Sequence, residues 1–303
     1  MGHSVYRRCV PLQVVVTRLI GGLGNQLFQY AAGRALAVRH NVPLRLDTQS
    51  FEGYRPRFYA LDHFKIEASV LSAEERSELR LNRKSWGHLD RFINWVLHLP
   101  SLPVVLEKGF EFDSAIFDAP TSCVLAGYWQ SPKYFAAIEP QIRSEFTIKD
   151  KLDGRNQELA RQISESMAVS LHVRRGDYVE NALTNRYHGT CSPEYYRSAE
   201  QLLRDRIGNI RLFVFSDDPD WAEAKLRFVS PVTIVRHNGP DRDYEDLRLM
   251  TLCSHHIIAN STFSWWGAWL CPNPDKVVIA PRNWFKEANN RTDDLIPEDW
   301  IKI

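Results

Sequence analysis

"LIGGLGNQLFQYAAGRALA", residues 19–37, places three glycines in four positions, then an Asn-Gln pair, then an apolar run that carries no charge until Arg34. Ahead of it, Val14 to Ile20 reads as a buried strand. Behind it, Gln26 to His40 reads as a helix with Leu27, Ala31, Ala35 and Val38 on one face. Val42 to Leu46 is the next strand, and a strand, turn, helix and strand in succession imply parallel pairing and an α/β layer fold. The turn Gly22-Leu23-Gly24-Asn25-Gln26 lets backbone amides approach a ligand, and its two amide side chains suit hydroxyls or phosphate oxygens. It carries no cation, so it cannot be the main anchor of a pyrophosphate. Ala31-Ala32-Gly33 reads as a close-packing segment.

The same rhythm returns after Met167. Strands are expected at Ala168–Val173, Ile210–Phe215, Val232–Val235, His256–Ala259 and Val277–Ala280. Helices are expected from Ser192-Pro193, at Pro219–Arg227, from Asp243 to Cys253 and at Thr262–Leu270. This is a second parallel sheet covered on both faces. The polar stretch Lys149 to Asn156 is the expected boundary, giving domains 1–150 and 151–303, with the last helix of the chain returning to the first domain. Two such domains face each other across a cleft at the carboxyl ends of their strands, where open α/β sheets bind ligands. Between Ser72 and Phe112 the pattern weakens: Ser72 and Glu75 form a capping box, and Trp86, Phe92, Trp95 and Leu97 give an irregular apolar face. In "GYWQSPKYF", Ser131 and Pro132 read as the N-cap and first residue of another helix.

Composition narrows the function. The 38 basic and 37 acidic residues leave a net charge of +1, so no global field gathers nucleic acid or an anionic membrane. Cys9, Cys123, Cys191, Cys253 and Cys271 are odd in number and widely spaced, which argues against a disulfide framework or a structural zinc and fits a reducing cytoplasm. The apolar stretch after Arg7 and Arg8 is interrupted by Arg18, too early for a signal peptide, and Phe92 to Leu106 contains His98, Pro100 and Pro103. A soluble chain, peripheral to a membrane at most, is expected.

The second half opens with "SLHVRRGDYVENALTNRYHG". Ser170, His172 and Arg174 alternate with apolar residues, and the strand ends in adjacent cations, Arg174 and Arg175, followed by Gly176 and Asp177. Arginine forks make bidentate, charge-assisted bonds to phosphate oxygens, so a pyrophosphate ligand is indicated. The bland reading pairs either arginine with Asp177 or Glu180 to close a loop. A histidine two residues earlier at a strand's carboxyl end favours the functional one. In "ANSTFSWWGAWL", Asn260 or Ser261 can cap a helix whose free amides, with the Ser261, Thr262 and Ser264 hydroxyls, make a second anion site, while Phe263, Trp265, Trp266 and Trp269 pack. In "VFSDDPDW", Ser216 and Asp217 lie just beyond a strand, where a carboxylate can accept from guanine or ribose; ordinary helix-entry chemistry explains the motif equally well.

"HVRRGD" is similar to the H-x-R-R-x-D signature of fucosyltransferases that use GDP-fucose and build α1,2 or α1,6 linkages. With "GGLGNQLFQYAAGRALA", "GYWQSPKYF", "FVFSDDPDW" and "IIANSTFSWWGAWL", it resembles the bacterial α1,2-fucosyltransferases of glycosyltransferase family 11 over about residues 17–285. The resemblance implies a GT-B type architecture of two Rossmann-like domains. It also implies inverting transfer of L-fucose from GDP-β-L-fucose to a galactose 2-hydroxyl in an oligosaccharide, with no required metal or other cofactor. The C-terminal domain then holds the donor through His172, Arg174, Arg175, Ser216, Asp217, Asp246, Asn260, Ser261, Thr262 and Ser264. Arg174, Arg175, Asp177 and His172 are the catalytic candidates, with Asp177 the first choice of base, Glu180 the second, and a mechanism without a base still open. Gly22, Gly24, Asn25 and Gln26 face the fucose and the acceptor. A bacterial cytoplasmic enzyme working near the inner membrane leaflet follows.

Three other readings remain. Gly22-x-Gly24 after a strand, with Asp47 ending the next, imitates a dinucleotide fingerprint and points to an NAD-dependent oxidoreductase, although Leu27 stands where the third glycine belongs. Asp241-Arg242-Asp243 or Asp218-Pro219-Asp220 is a candidate metal triplet of a single-domain GT-A transferase. A non-catalytic sugar-nucleotide binder is the third.

Overall fold

The computed structural model describes residues 13–53, 57–79, 81, 102–176, 189–286 and 292–303. Its first sheet joins β1 (Val15–Arg18), β2 (Leu44–Asp47), β3 (Ser69–Val70), β4 (Val104–Leu106) and β5 (Cys123–Ala126) in the order β3-β2-β1-β5-β4. The second joins β6 (Ala168–Val173), β7 (Arg211–Ser216), β8 (Val232–Ile234), β9 (His255–Ile257), β10 (Val278–Ala280) and β11 (Ile301–Lys302) in the order β11-β10-β9-β6-β7-β8. Each pairing within them is parallel. In both, the order reverses beside the first strand, so topological switch points fall between β1 and β5 and between β6 and β9. The expected pair of Rossmann-like units with parallel sheets is present.

Helix α1 (Leu23–His40) follows β1 and starts three residues before the expected Gln26. Gly22 is its N-cap in an extended conformation without a side-chain cap, and Asn41 closes it in the left-handed region at φ 53°. Turn freedom is needed at Gly21, whose φ is +80°. The helix is buried around most of its circumference rather than on one stripe, and Val38, expected on the buried face, is 38% exposed. The reason is a second neighbour. One side of α1 rides on β1, where a Cβ at Gly33 would stand 1.9 Å from Thr17 Oγ1. Another meets α8 (Thr262–Leu270), which belongs to the other half of the chain.

The other described helices are α2 (Ala73–Glu78), α3 (Glu139–Glu145), α4 (Gly154–Ser164), α5 (Pro193–Ile207), α6 (Pro219–Lys225) and α7 (Asp243–Leu252). The capping box on Ser72 and Glu75 forms. Ser131 does cap, but the element after it is a three-residue 3-10 turn, not an α-helix. Trp86, Phe92, Trp95 and Leu97 lie outside the described residues.

The largest core crosses the chain's two halves. Phe28 of α1 packs on Trp265 and Trp266 of α8 with ring centroids 4.6 and 4.8 Å apart, and Phe135 stacks on Trp266 at 5.4 Å. The expected return of a last helix takes another form. Residues 292–303 hold no helix; Leu295, Ile296 and Trp300 enter this shared core before β11 joins the second sheet. Asp294 accepts from the amide of Phe112 at 2.8 Å and pairs with Lys133. The four described cysteines are free thiols, and no described helix is long and apolar enough to cross a membrane.

Candidate active site

Both switch points open on one seam. Gly24 sits in the first turn of α1 and faces the first turn of α8: a Cβ there would meet Phe263 N at 2.4 Å and the Thr262 carbonyl carbon at 2.5 Å. Its own carbonyl accepts from Trp266 Nε1 at 3.0 Å. Asn25 Oδ1 accepts from the Thr262 hydroxyl at 2.9 Å and from Gln130 Nε2 at 3.1 Å. Gln26 is fully buried, donating to the carbonyls of Gly21 and Phe58 and accepting from the amide of Ala60. Gly24, Asn25 and Gln26, expected to face the sugar, thus make these contacts within the chain. Polar residues inside a helix's first turn can serve a neighbouring element as well as a ligand, and here the neighbour is α8 for Gly24 and Asn25 and the 57–60 segment for Gln26.

Gly22, expected on the fucose and acceptor side, opens instead on a cavity of about 160 Å³, which it lines with Leu23, Arg57, Phe58, Tyr59, Ala60 and His63 from one half and Pro240, Asp241 and Asp243 from the other. A larger depression of about 350 Å³ lies elsewhere, by Met167 and Arg211 at the amino ends of β6 and β7, and brings none of the candidate residues together. The interdomain cavity is the candidate site because both halves converge on it.

Burial pushes the Asp243 carboxyl up to about 6 against the pull of nearby Arg57 and Arg174. Asp246, one turn further along α7, is pushed up to about 7, chiefly by burial and also by Asp243 and Glu245, while Asn238 donates to it at 2.7 Å. The His63 and Tyr244 rings stack at 3.8 Å between the halves.

The expected two-faced strand is buried on both faces throughout β6. His172 is 4% exposed, and its pKa is lowered to about 3 by burial and the Arg174 charge, so the imidazole is neutral at physiological pH. Its Nδ1 has no hydrogen-bond partner. The two arginines diverge. Arg174 pairs with Asp217 at 3.1 Å and lies close enough to Asp243 to lower its pKa. Arg175 turns toward α6, its guanidinium 3.9 Å above the Trp221 ring and 3.5 Å from Asp218.

Asp217 also accepts from the amides of Arg175 and Gly176 at 2.8 and 3.0 Å, so it shapes the arginine turn. Ser216 accepts from the amide of Asp218. Asp177 and Glu180 lie outside the described residues.

The "ANSTFSWWGAWL" donors likewise divide. Asn260 Nδ2 holds the carbonyls of Gly189 and Trp284. Ser264 is fully buried and bonds back to Ala259 and Ser261, and Thr262 is engaged by Asn25. Of the hydroxyls expected to face phosphate, Thr262 and Ser264 are thus hydrogen-bonded within the chain, as is Asn260. Ser261 is the N-cap of α8 and makes no capping bond.

Arg57, Phe58 and His63 were missed. The one available signal was the basic-aromatic run 55–59, "RPRFY". Asp243 was weighed only as part of a metal triplet.

The dinucleotide reading does not survive this geometry. The start of α8 fills the space beside Gly24 that a pyrophosphate needs, and Asp47 is buried, paired with Arg18 at 3.2 Å.

Comparison with known proteins shows the family. An Escherichia coli alpha-1,2-colitosyltransferase is 35% identical over 96% of this chain and 99% of its own. The O-antigen biosynthesis glycosyltransferase WbnK of Escherichia coli is 32% identical over 94% and 99%. Galactoside alpha-(1,2)-fucosyltransferase 1 of Lagothrix lagotricha is 29% identical over 93% of this chain and 73% of its own. In fold, the chain is similar to the crystal structure of the fucosyltransferase NodZ from Bradyrhizobium, with a TM-score of 0.50 at 15% identity over 86% of this chain and 92% of that one. A POFUT1 structure in complex with GDP matches at TM-score 0.50 and 15% identity over 89% and 98%. The family model for glycosyl transferase family 11 matches residues 109–303, and with these relatives it shows that the chain belongs to that family.

Proposed function

We propose that this glycosyltransferase moves L-fucose from GDP-β-L-fucose to the 2-hydroxyl of a galactose residue in an oligosaccharide, with inversion at the anomeric carbon. One observation carries the reading: Arg174, at the carboxyl end of β6, lies close enough to Asp243 to lower its pKa, which puts its charge beside the interdomain cavity lined by Gly22, Arg57 and Asp243. The start of α1, whose N-cap Gly22 lines the same cavity, adds a partial positive charge of about half a unit, and together with the arginine it suits a diphosphate. The acceptor oxygen bonds to the anomeric carbon, the bond from that carbon to the diphosphate oxygen breaks, and its electron pair leaves with GDP. Arg174 offsets the charge that develops there. The acceptor's proton goes to a carboxylate, Asp177 or Glu180, or to the departing diphosphate.

The interdomain cavity admits one flat ring system. Its carboxylates, Asp241 and Asp243, suit the adjacent N–H donors on the edge of guanine, and Phe58 gives it an aromatic wall. Neutral His172 lies on the same side of the cleft. Asp246 supports the site through Asn238.

A second sugar is favoured by one observation, the 35% identity to a colitosyltransferase. Colitose is fucose without the 3-hydroxyl, so the same site chemistry admits it. Purified protein incubated with GDP-fucose or GDP-colitose, lactose and EDTA, followed by mass spectrometry and linkage analysis, tests the proposal. A 2-linked fucosyl product is expected. Activity that EDTA abolishes and manganese restores overturns the metal-free mechanism, and product only from GDP-colitose reassigns the donor. The relatives' work on surface glycans supports a site of action beside the inner membrane leaflet, which cell fractionation tests.

A further inference from the structure

The loop after β5 is fixed at more points than packing requires, and it leaves one aromatic ring outside. Glu107, at the end of β4, accepts the amide of Tyr128 on Oε2 at 2.6 Å and the amide of Trp129 on Oε1 at 2.7 Å. It lies so close that a Cβ on Gly127 would stand 2.4 Å from its own. Buried Gln29 bridges the same loop to the Gly-rich turn, accepting from Ile20 N at 3.0 Å and donating to Gly127 O at 3.2 Å. Trp129 is held in the left-handed region at φ 57°, rare for a residue with a side chain, while its ring is buried against Tyr134. Gln130 then binds Asn25, which also binds Thr262 of the other half. Within 128–131, Trp129, Gln130 and Ser131 are buried and Tyr128 alone is exposed, at 37%.

Residues held in such conformations by surrounding structure, as Trp129 is, cluster at functional sites. We propose that Tyr128 is the platform for the acceptor: its ring takes the C–H face of the galactose, and Glu107 is the positioning residue that fixes it at the switch point beside α1. This rests on the galactoside reading of the acceptor. An aromatic ring with a polar tip suits a ligand that is apolar on one face and hydroxylated at its edge. The interdomain cavity with Arg57 and Asp243 is separate from it, so donor and acceptor recognition divide between different residues.

The test compares wild type, Tyr128→Ala, Tyr128→Phe and Glu107→Gln. The readouts are acceptor KM with lactose, kcat, GDP affinity by calorimetry, melting temperature, and direct titration of lactose into GDP-loaded protein. Tyr128→Ala is expected to raise acceptor KM and weaken lactose binding about tenfold, as loss of one aromatic contact does, with GDP affinity and melting temperature retained. Tyr128→Phe keeps lactose binding within about threefold of wild type because the ring remains. Glu107→Gln raises acceptor KM more than it lowers kcat; a merely structural role lowers stability and every kinetic parameter together. Unchanged lactose binding in Tyr128→Ala, or a loss of GDP affinity equal to the loss for lactose, overturns the proposal. If wild type transfers no fucose, the proposed function fails, and the lactose titration still decides for Tyr128: binding lost with the ring supports it, and equal or absent binding overturns it.

Discussion

Replacing Gly24 by alanine separates the seam from the ligand. The added Cβ would lie 2.4 Å from Phe263 N, 2.5 Å from the Thr262 carbonyl carbon and 2.7 Å from Thr262 Oγ1. Carbon contacts are comfortable at about 3.5–4.0 Å, so the first turn of α8 must retreat by roughly 1 Å. Two of the three obstacles are backbone, and a retreat pulls Trp265 and Trp266 of α8 away from Phe28 of α1, so it is resisted. Overpacking of this kind costs about 1–3 kcal/mol. The Trp266–Gly24 and Thr262–Asn25 hydrogen bonds cross the same gap and contribute about 1 kcal/mol each. The total, about 3–5 kcal/mol, corresponds to a fall in melting temperature of roughly 5–8 °C in a protein of this size. Gly22→Ser is the control. Its Cβ meets nothing closer than 3.7 Å, its φ is −77°, and serine is a favoured N-cap, so the melting temperature holds while the new hydroxyl enters the interdomain cavity. Thermal melts and GDP calorimetry on both variants decide. A Gly24→Ala protein that melts like wild type but loses GDP would place this glycine against the ligand and refute the seam argument.

Arg174→Lys keeps the charge but loses the planar fork, and turnover should fall by about 10²-fold or more as for a lost charge-stabilising donor, whereas Arg175→Lys should mainly lower the melting temperature by losing the Trp221 stack. Near-normal turnover in Arg174→Lys removes the phosphate role. Gln26→Ala leaves the Phe58 carbonyl and the Ala60 amide without their buried partner, so the melting temperature should fall and GDP affinity with it, as the cavity wall at 57–60 loosens; turnover lost at unchanged GDP affinity would point back to a direct role on the sugar. The pKa shifts at Asp243 and Asp246 set a pH dependence. Both are raised from 3.8, to about 6 and about 7, so the folded protein holds these protons longer than the unfolded chain. Their effect favours folding most below the unfolded value and weakens as pH rises through the folded ones. The melting temperature of Asp246→Asn should therefore fall less between pH 5 and pH 8 than that of wild type; parallel curves would show that Asp246 does not titrate in that window.

The parallel sheets were legible because their central strands are buried on both faces and read as apolar runs closed by Gly, Pro or charge. Val14–Ile20 and Ala168–Val173 gave β1 and β6 in this way. Strands β3 and β4 were not legible. Ser69–Val70 and Val104–Leu106 are two and three residues long with mostly exposed side chains, too short to show a period. The start of α1 was misplaced because its N-cap is a glycine, without the hydroxyl or carboxylate that marks a helix entry. At the site, sequence position identified the carboxyl ends of β6 and β9 but not which polar groups remain open there. Arg174 and Arg175 are neighbours in the chain, yet a ring 46 positions after Arg175, Trp221, takes one of them away.

The polar residues of "GNQ" and "NST" looked like ligand contacts because nothing local explained their polarity. The explanation lies in the other half of the chain, where each motif supplies the partner the other lacks: Gly24 makes room for Thr262 and Phe263, and Asn25 receives the Thr262 hydroxyl. That does not remove these motifs from function. Two helix amino ends brought together carry like partial charges, which an anion bound in the adjoining cavity, lined by the α1 N-cap Gly22, would offset. A bound diphosphate would relieve that repulsion, so donor binding and the joining of the two halves are thermodynamically linked, and GDP should raise the melting temperature of the wild type. On the proposed function, Gly24 and Asn25 would act on transfer indirectly, by holding together the two halves that line the cavity, so turnover in Gly24→Ala is expected to fall in step with its melting temperature.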